Sequence, residues 1–172
     1  GLVARKVDVT VWGLAGSPLL EKVRADGIPA VAFGNPGSLN PEQMKACSRM
    51  LARLVREKSI DIVNLHRSEG FPYLASSAKK AGARVVRTRA DMRMPKATRI
   101  NGAIHRELAD AVITANDLLR ENLIVRLGLP EDRVATARFG IEPPPEEEAD
   151  PGAADALRER AAKALGIETG AP

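Results

Sequence analysis

At 172 residues, 44% hydrophobic and 28% charged, the chain is long enough to bury a core and too apolar to stay disordered. Aromatic residues make up 3%, which calls for an aliphatic core and argues against a single-stranded nucleic-acid binder, whose bases stack on aromatic faces. The net charge of +4 favours an anionic partner without choosing among a phosphorylated ligand, nucleic acid and an acidic bilayer.

The lone Cys47 sits in an amphipathic pattern and reads as a small buried hydrophobe. One cysteine builds neither an internal disulfide nor a cysteine zinc site. No apolar run reaches the length of a membrane span and no signal peptide is legible, so the expected compartment is the cytoplasm.

In chain order, "VDVTVW" (Val7–Trp12) alternates and is rich in β-branched residues, which predicts a strand. "GSPLLEKVRADGI" predicts a helix that Ser17 can cap, with Pro18 in its first position and Gly27 at its end. "PAVAF" reads as a short buried strand. Asn40 then caps a long helix from Pro41 to about Lys58, with Met44, Cys47, Leu51, Leu54 and Val55 on one face. "IDIVNLH" is apolar enough for a strand buried on both sides.

"FPYLASSAKKAG" predicts a helix with a glycine stop, "ARVVRTRA" a strand, "RINGAIHRELA" a helix and "DAVITA" a strand. Asn116 or Thr114 caps "DLLRENLIVRLG", in which Leu119, Leu123 and Leu127 recur at four-residue steps and Gly128 terminates. "RVATARFG" closes the series as a strand. Strands alternating with helices across short joints predict an α/β fold: a doubly wound parallel sheet with helices on both faces.

The composition changes after Ile141. "EPPPEEEADPGA" combines consecutive prolines with an acidic run and cannot enter a packed core. The expected organisation is a domain over residues 1–142, a Pro/Glu-rich linker over 143–152 and a helix within 153–172. Both ends read as cut from a longer protein, with a first strand expected before "GLVARK" and a further domain after the last helix.

In a parallel α/β sheet, ligands bind at the carboxyl ends of the strands. The residues following each strand are therefore the informative ones: "GLAGS", opening at Gly13; "HRSEG", with His66, Arg67, Ser68 and Glu69; "RTRADMRMPK", with Arg87, Arg89, Asp91, Arg93 and Lys96; then "AND" and "RFGIE". Each group has a plain structural alternative. His66 is as readily a structural donor as a site residue, Arg67 and Glu69 can pair across their turn, and His105 reads as structural or solvated.

The cations around Arg87 could be a solvated loop. However, Arg87 and Arg89 lie two residues apart on one face of a strand, where guanidiniums repel unless an anion or a carboxylate such as Asp91 intervenes. There is no G-x-G-x-x-G, no G-x-x-x-x-G-K-[ST], no metal-ligand spacing and no serine elbow, so no cofactor and no metal are expected.

The succession "DVTVWGLAGSPLLEKVRADGIPAVAF", "IDIVNLH", "ARVVRTRADMR" and "ADAVITANDLLRENLIVRLGLPEDRVATARFGIE" resembles the N-terminal domain of family 4 (group 1) glycosyltransferases of GT-B fold. "RTRADMRMPKATRIN" is similar to an R-T-R-x-D-x-R-x-x-K stretch of members that build lipopolysaccharide core. Two departures stand out. Phe139 and Glu142 replace the usual asparagine and aspartate of the hinge, and Ala90, followed by Asp91, occupies a position where many members carry histidine.

The resemblance implies the Rossmann-like acceptor half of a transferase whose C-terminal half holds the nucleotide-sugar co-substrate, so that this stretch alone would be inactive. His66, Arg67, Ser68 and Glu69 would then orient an acceptor, and Arg87, Arg89, Asp91, Arg93 and Lys96 would hold its anionic groups. Gly13 would face the donor, and no catalytic residue is assigned. The implied acceptor is a lipopolysaccharide or other envelope glycan, reached by peripheral contact with the inner face of an anionic plasma membrane; no nucleic acid is expected. Absence of a first strand implies self-association through open strand edges. A GT-B sugar-nucleotide epimerase and a non-catalytic anion-binding α/β module are the alternatives.

Overall fold

The computed structural model describes residues 6–90, 93, 95–138, 156, 159 and 160. The chain divides into two units, Gly1–Arg138 and Phe139–Pro172. In the second, Ala156, Glu159 and Arg160 are helical; the predicted linker over 143–152 lies outside the described residues.

The first unit runs β1 (Val11–Leu14), α1 (Pro18–Ala25), β2 (Ala30–Phe33), α2 (Pro41–Glu57), β3 (Ile62–Leu65), α3 (Phe71–Lys80), β4 (Arg84–Arg89), α4 (Arg99–Leu108), β5 (Ala111–Thr114), α5 (Asp117–Leu127), a 3-10 turn over Glu131–Arg133 and β6 (Val134–Thr136). Among the described residues all strand pairings are parallel. β1 pairs with β2, and a separate four-stranded sheet has the order β3-β4-β5-β6. Right-handed crossovers taken in one direction put α3, α4 and α5 on one face of that sheet. α2 packs on α3, α1 packs on β1 and β2, and helices cover both sides, as the alternating pattern predicts.

Local chemistry explains most boundaries. The Asn40 side chain accepts from the Glu42 N–H at 2.9 Å and Pro41 fills the first turn of α2, where no donor is needed. The Asn116 side chain caps α5 by accepting from Leu119 N–H at 2.8 Å, and Gly128 ends that helix at φ +64°. Ser17 holds the N-cap position of α1, but its hydroxyl makes no capping bond; its backbone carbonyl accepts instead.

Two strand expectations need correction. The first strand begins at Val11 rather than Val7, because its ladder with β2 runs from Val11–Ala30 to Leu14–Phe33 and reaches no earlier. β3, expected to be buried on both sides, pairs among the described residues with β4 alone, and Ile62 remains 58% exposed and Asn64 exposed.

The core is aliphatic. Cys47, Leu51 and Val55 of α2, Leu74, Ala75 and Ala78 of α3, Val85 of β4, Val112 of β5 and Leu123 and Leu127 of α5 form one buried cluster. Ser77 donates to the Ser48 carbonyl at 2.7 Å, tying α3 to α2 inside it. At the amino edge of the sheet the Asp110 carboxylate accepts from the Val85 N–H and pairs with Lys79, both at 2.7 Å. Burial alone would raise this carboxyl's pKa, but those two bonds outweigh it and hold Asp110 below the usual aspartate value. Among the described residues, no helix is long and apolar enough to cross a membrane.

Candidate functional site

Arg87 and Arg89 belong to β4, the strand flanked by β3 and β5. That placement buries them, to 2% and 7% exposure. A buried guanidinium needs its donors engaged. The Arg87 Nη1 donates to the Leu65 carbonyl at 3.2 Å and to the Arg67 carbonyl, and its Nη2 donates to the Ser68 Oγ at 3.0 Å. Its guanidinium also stands over the Phe71 ring, 4.8 Å from the centroid. Arg89 donates to the Arg93 carbonyl at 3.0 Å. The two cations expected to repel are thus each bound to backbone carbonyls of a neighbouring loop.

Above Arg87 lies the loop between β3 and α3. His66, Arg67, Ser68 and Glu69 are all exposed there. Arg67 and Glu69 pair across the turn, the structural alternative their spacing left open, with Nε to Oε2 at 3.2 Å and Nη2 to Oε1 at 3.1 Å. That bond pulls the Glu69 carboxyl below its ordinary pKa. Partial loss of water contact, and then the charge of Arg87, push His66 below the ordinary imidazole value. Near neutral pH His66 is therefore a neutral ring that can accept a hydrogen bond or a proton.

The loop is closed from its other side as well. Gly70 sits at φ +75°, and a Cβ there would stand 2.6 Å from the Pro36 carbonyl oxygen. The Tyr73 hydroxyl donates to the same oxygen at 2.8 Å. The loops after β2 and β3 therefore meet, which joins the carboxyl edges of the two sheets.

Arg93 and Lys96, on the segment leading into α4, are exposed. Thr98 caps that helix by accepting from Asn101 N–H at 3.2 Å, while the Asn101 side chain donates to the Lys96 carbonyl at 2.9 Å. Asp91 lies outside the described residues. Gly13 lies within β1, packed on α1, where an added Cβ would stand 3.2 Å from Leu20.

The fold therefore gathers His66, Arg67, Ser68 and Glu69 over Arg87, and places Arg93 beside Arg89. Phe71 and His105 complete the cluster. Their rings lie 5.6 Å apart, and the His105 Nδ1 donates to the Asn101 carbonyl at 2.8 Å, leaving Nε2 as the unprotonated nitrogen. Sequence reading assigned Phe71 no part in the site; the available signal was an aromatic in the first turn of the helix after a strand. Among the described residues, no group of three or more histidine, cysteine, aspartate or glutamate side chains is placed to hold a metal ion.

The family model for Glycosyltransferase Family 4 matches residues 1–143. Among solved structures, a glycosyltransferase from Rickettsia africae superposes with a TM-score of 0.73 at 14% identity, over 99% of this chain and 44% of that one. Anabaena HepE in complex with UDP gives 0.63 at 15% identity, over 89% of this chain and 42% of that one. A UDP-N-acetylglucosamine 2-epimerase from Rickettsia bellii gives 0.54 at 16% identity, over 91% and 43%. The chain thus spans less than half the length of each. A search of curated proteins finds no match.

Proposed function

Because the chain belongs to glycosyltransferase family 4, we propose that it is the acceptor-binding half of a sugar transferase that uses a nucleotide-sugar donor. The observation that carries this reading is the family match over residues 1–143, joined to a basic, histidine-bearing carboxyl edge on the described sheet. HepE, crystallised with UDP, supports a nucleotide-sugar co-substrate. The acceptor is an envelope glycan or glycolipid with an anionic group, met at the inner face of the plasma membrane.

In this reading the acceptor lies across the loops after β3 and β4. The neutral His66 ring accepts a hydrogen bond from an acceptor hydroxyl, and the Arg67–Glu69 pair and Ser68 frame that position. Arg93 and Lys96 attract the anionic group, while Arg89 holds the Arg93 backbone in place. An exposed guanidinium or ammonium meeting a phosphate forms a charge-assisted bond worth roughly 1.5–3 kcal/mol.

The test uses the full-length protein with a panel of nucleotide sugars and phosphorylated core oligosaccharides. Arg93→Ala and Lys96→Ala should each weaken acceptor use about ten- to a hundred-fold, with the donor Michaelis constant unchanged. Unchanged acceptor kinetics in both variants would overturn the site. A second reading, sugar-nucleotide epimerisation, is favoured by the R. bellii neighbour; conversion of the nucleotide sugar with no acceptor present would establish it instead.

A further inference from the structure

We infer that Arg87 is a positioning residue, which fixes the backbone of the β3–α3 loop from below and does not itself meet the ligand. What the loop is positioned for rests on the proposed function; the positioning itself rests on geometry alone. At 2% exposure the side chain lies beneath the loop rather than beside it. Its two terminal nitrogens reach the Leu65 carbonyl, the Arg67 carbonyl and the Ser68 hydroxyl, so one planar fork binds the chain on both sides of His66. A lysine has the charge but not the fork, and could satisfy fewer of these acceptors at once.

Phe71 supports the guanidinium from the start of α3, and His105 of α4 packs on the same ring. Gly70 and Tyr73 lock the far end of the loop against Pro36. The loop is therefore held at both ends, and Arg87 is its buried anchor. Burial lowers the His66 pKa most and the charge of Arg87 adds to it, so the group that fixes the loop also contributes to the proton affinity of His66.

The Arg67 carbonyl held by Arg87 is the one that trypsin attacks when it cuts after Arg67, which allows a test needing neither donor nor acceptor. In the full-length protein, cleavage at Arg67–Ser68 should be slow. Arg87→Met should accelerate it about ten- to a hundred-fold, the range one charge-assisted hydrogen bond spans. In the same variant the His66 titration, followed by NMR, should move up toward the ordinary imidazole value as the neighbouring charge is lost.

Arg87→Lys separates the two effects: cleavage should still accelerate, while His66 stays depressed. It also serves as the test should Arg87→Met not fold, with folding judged by protection of the buried Cys47 thiol from alkylation. Unchanged cleavage in a folded variant would overturn the inference. So would a hydrogen-bond coupling between bound inorganic phosphate and the Arg87 guanidinium of the wild type, followed by NMR, since that would make Arg87 a ligand contact. Neither result depends on whether the protein transfers sugar.

Discussion

The two sheets of this molecule are made of similar residues and end in different states of burial. In the four-stranded sheet, β4 and β5 each have neighbours on both sides, and Val85 and Val112 are 0% and 1% exposed. In the β1–β2 pair each strand has one neighbour among the described residues, and every residue of β2 is only half-buried. β3 sides with the pair: it is as apolar as β5, yet among the described residues it pairs with β4 alone and Ile62 is exposed. Burial in a parallel sheet follows the number of paired edges more than side-chain hydrophobicity, since a second neighbour covers both backbone and flanks.

The cores divide along the same line. Leu123 is 0% exposed inside the large cluster, whereas Leu20, equally buried, lies outside that cluster and packs against Gly13 of β1. Leu123→Ala should therefore cost about 2–5 kcal/mol and lower global stability, measured by denaturant unfolding. Leu20→Ala removes the same atoms from the smaller region. It should release the β1 and β2 amides to exchange while β4 and β5 stay protected in native-state hydrogen exchange. Equal acceleration in both sheets would show that they form one cooperative unit.

Acid acts on the larger region through one buried ring. His105 is 7% exposed and serves only the large region. Burial lowers its pKa, the Asn101 bond opposes this in part, and the charges of Arg89 and Arg87 add to the lowering. Its folded pKa thus lies below its unfolded one, near 6.5, so the unfolded chain takes up the proton first. The stability contributed by the neutral ring is complete above about pH 6.5 and falls away as the pH drops toward the depressed folded value. The slope of unfolding free energy between pH 7.5 and 5.5, taken as about two units spanning the ordinary histidine value, should shrink in His105→Phe. An unchanged slope would remove His105 from the account.

The smallest effect concerns the open edges. An exposed, apolar strand edge recruits another strand, so self-association through β3 is expected. Ile62→Lys should reduce it in sedimentation while changing stability by less than about 0.5 kcal/mol. A wild type that stays strictly monomeric at all concentrations would count against pairing at this edge.

Much of this was legible in the sequence. Asn40, Asn116 and Gly128 announced helix ends because caps are local chemistry, and the repeat of Leu119, Leu123 and Leu127 gave the buried face of α5. The exposed edge of β3 was not legible, because an apolar run carries no record of how many neighbours it finds. The site was half legible. The carboxyl-edge rule collected His66–Glu69 with Arg87 and Arg89, and spacing left the Arg67–Glu69 pair open as one of two readings. That Arg87 would bind the carbonyls of Leu65 and Arg67 could not be read, since those contacts join residues 22 and 20 positions apart through a register that the β3–β4 ladder sets.

Trp12 is the sole tryptophan of the chain. It belongs to β1, stacks on Phe33 of β2 with ring centroids 4.2 Å apart, and also packs against the large core cluster. Its indole is therefore an optical reporter stationed on the seam between the two sheets. Emission excited at the tryptophan edge will register the parting of the sheets. Far-ultraviolet ellipticity, dominated by α2 through α5, will register loss of the larger region. A thermal scan in which the first signal moves before the second would time the separation of the two without any label.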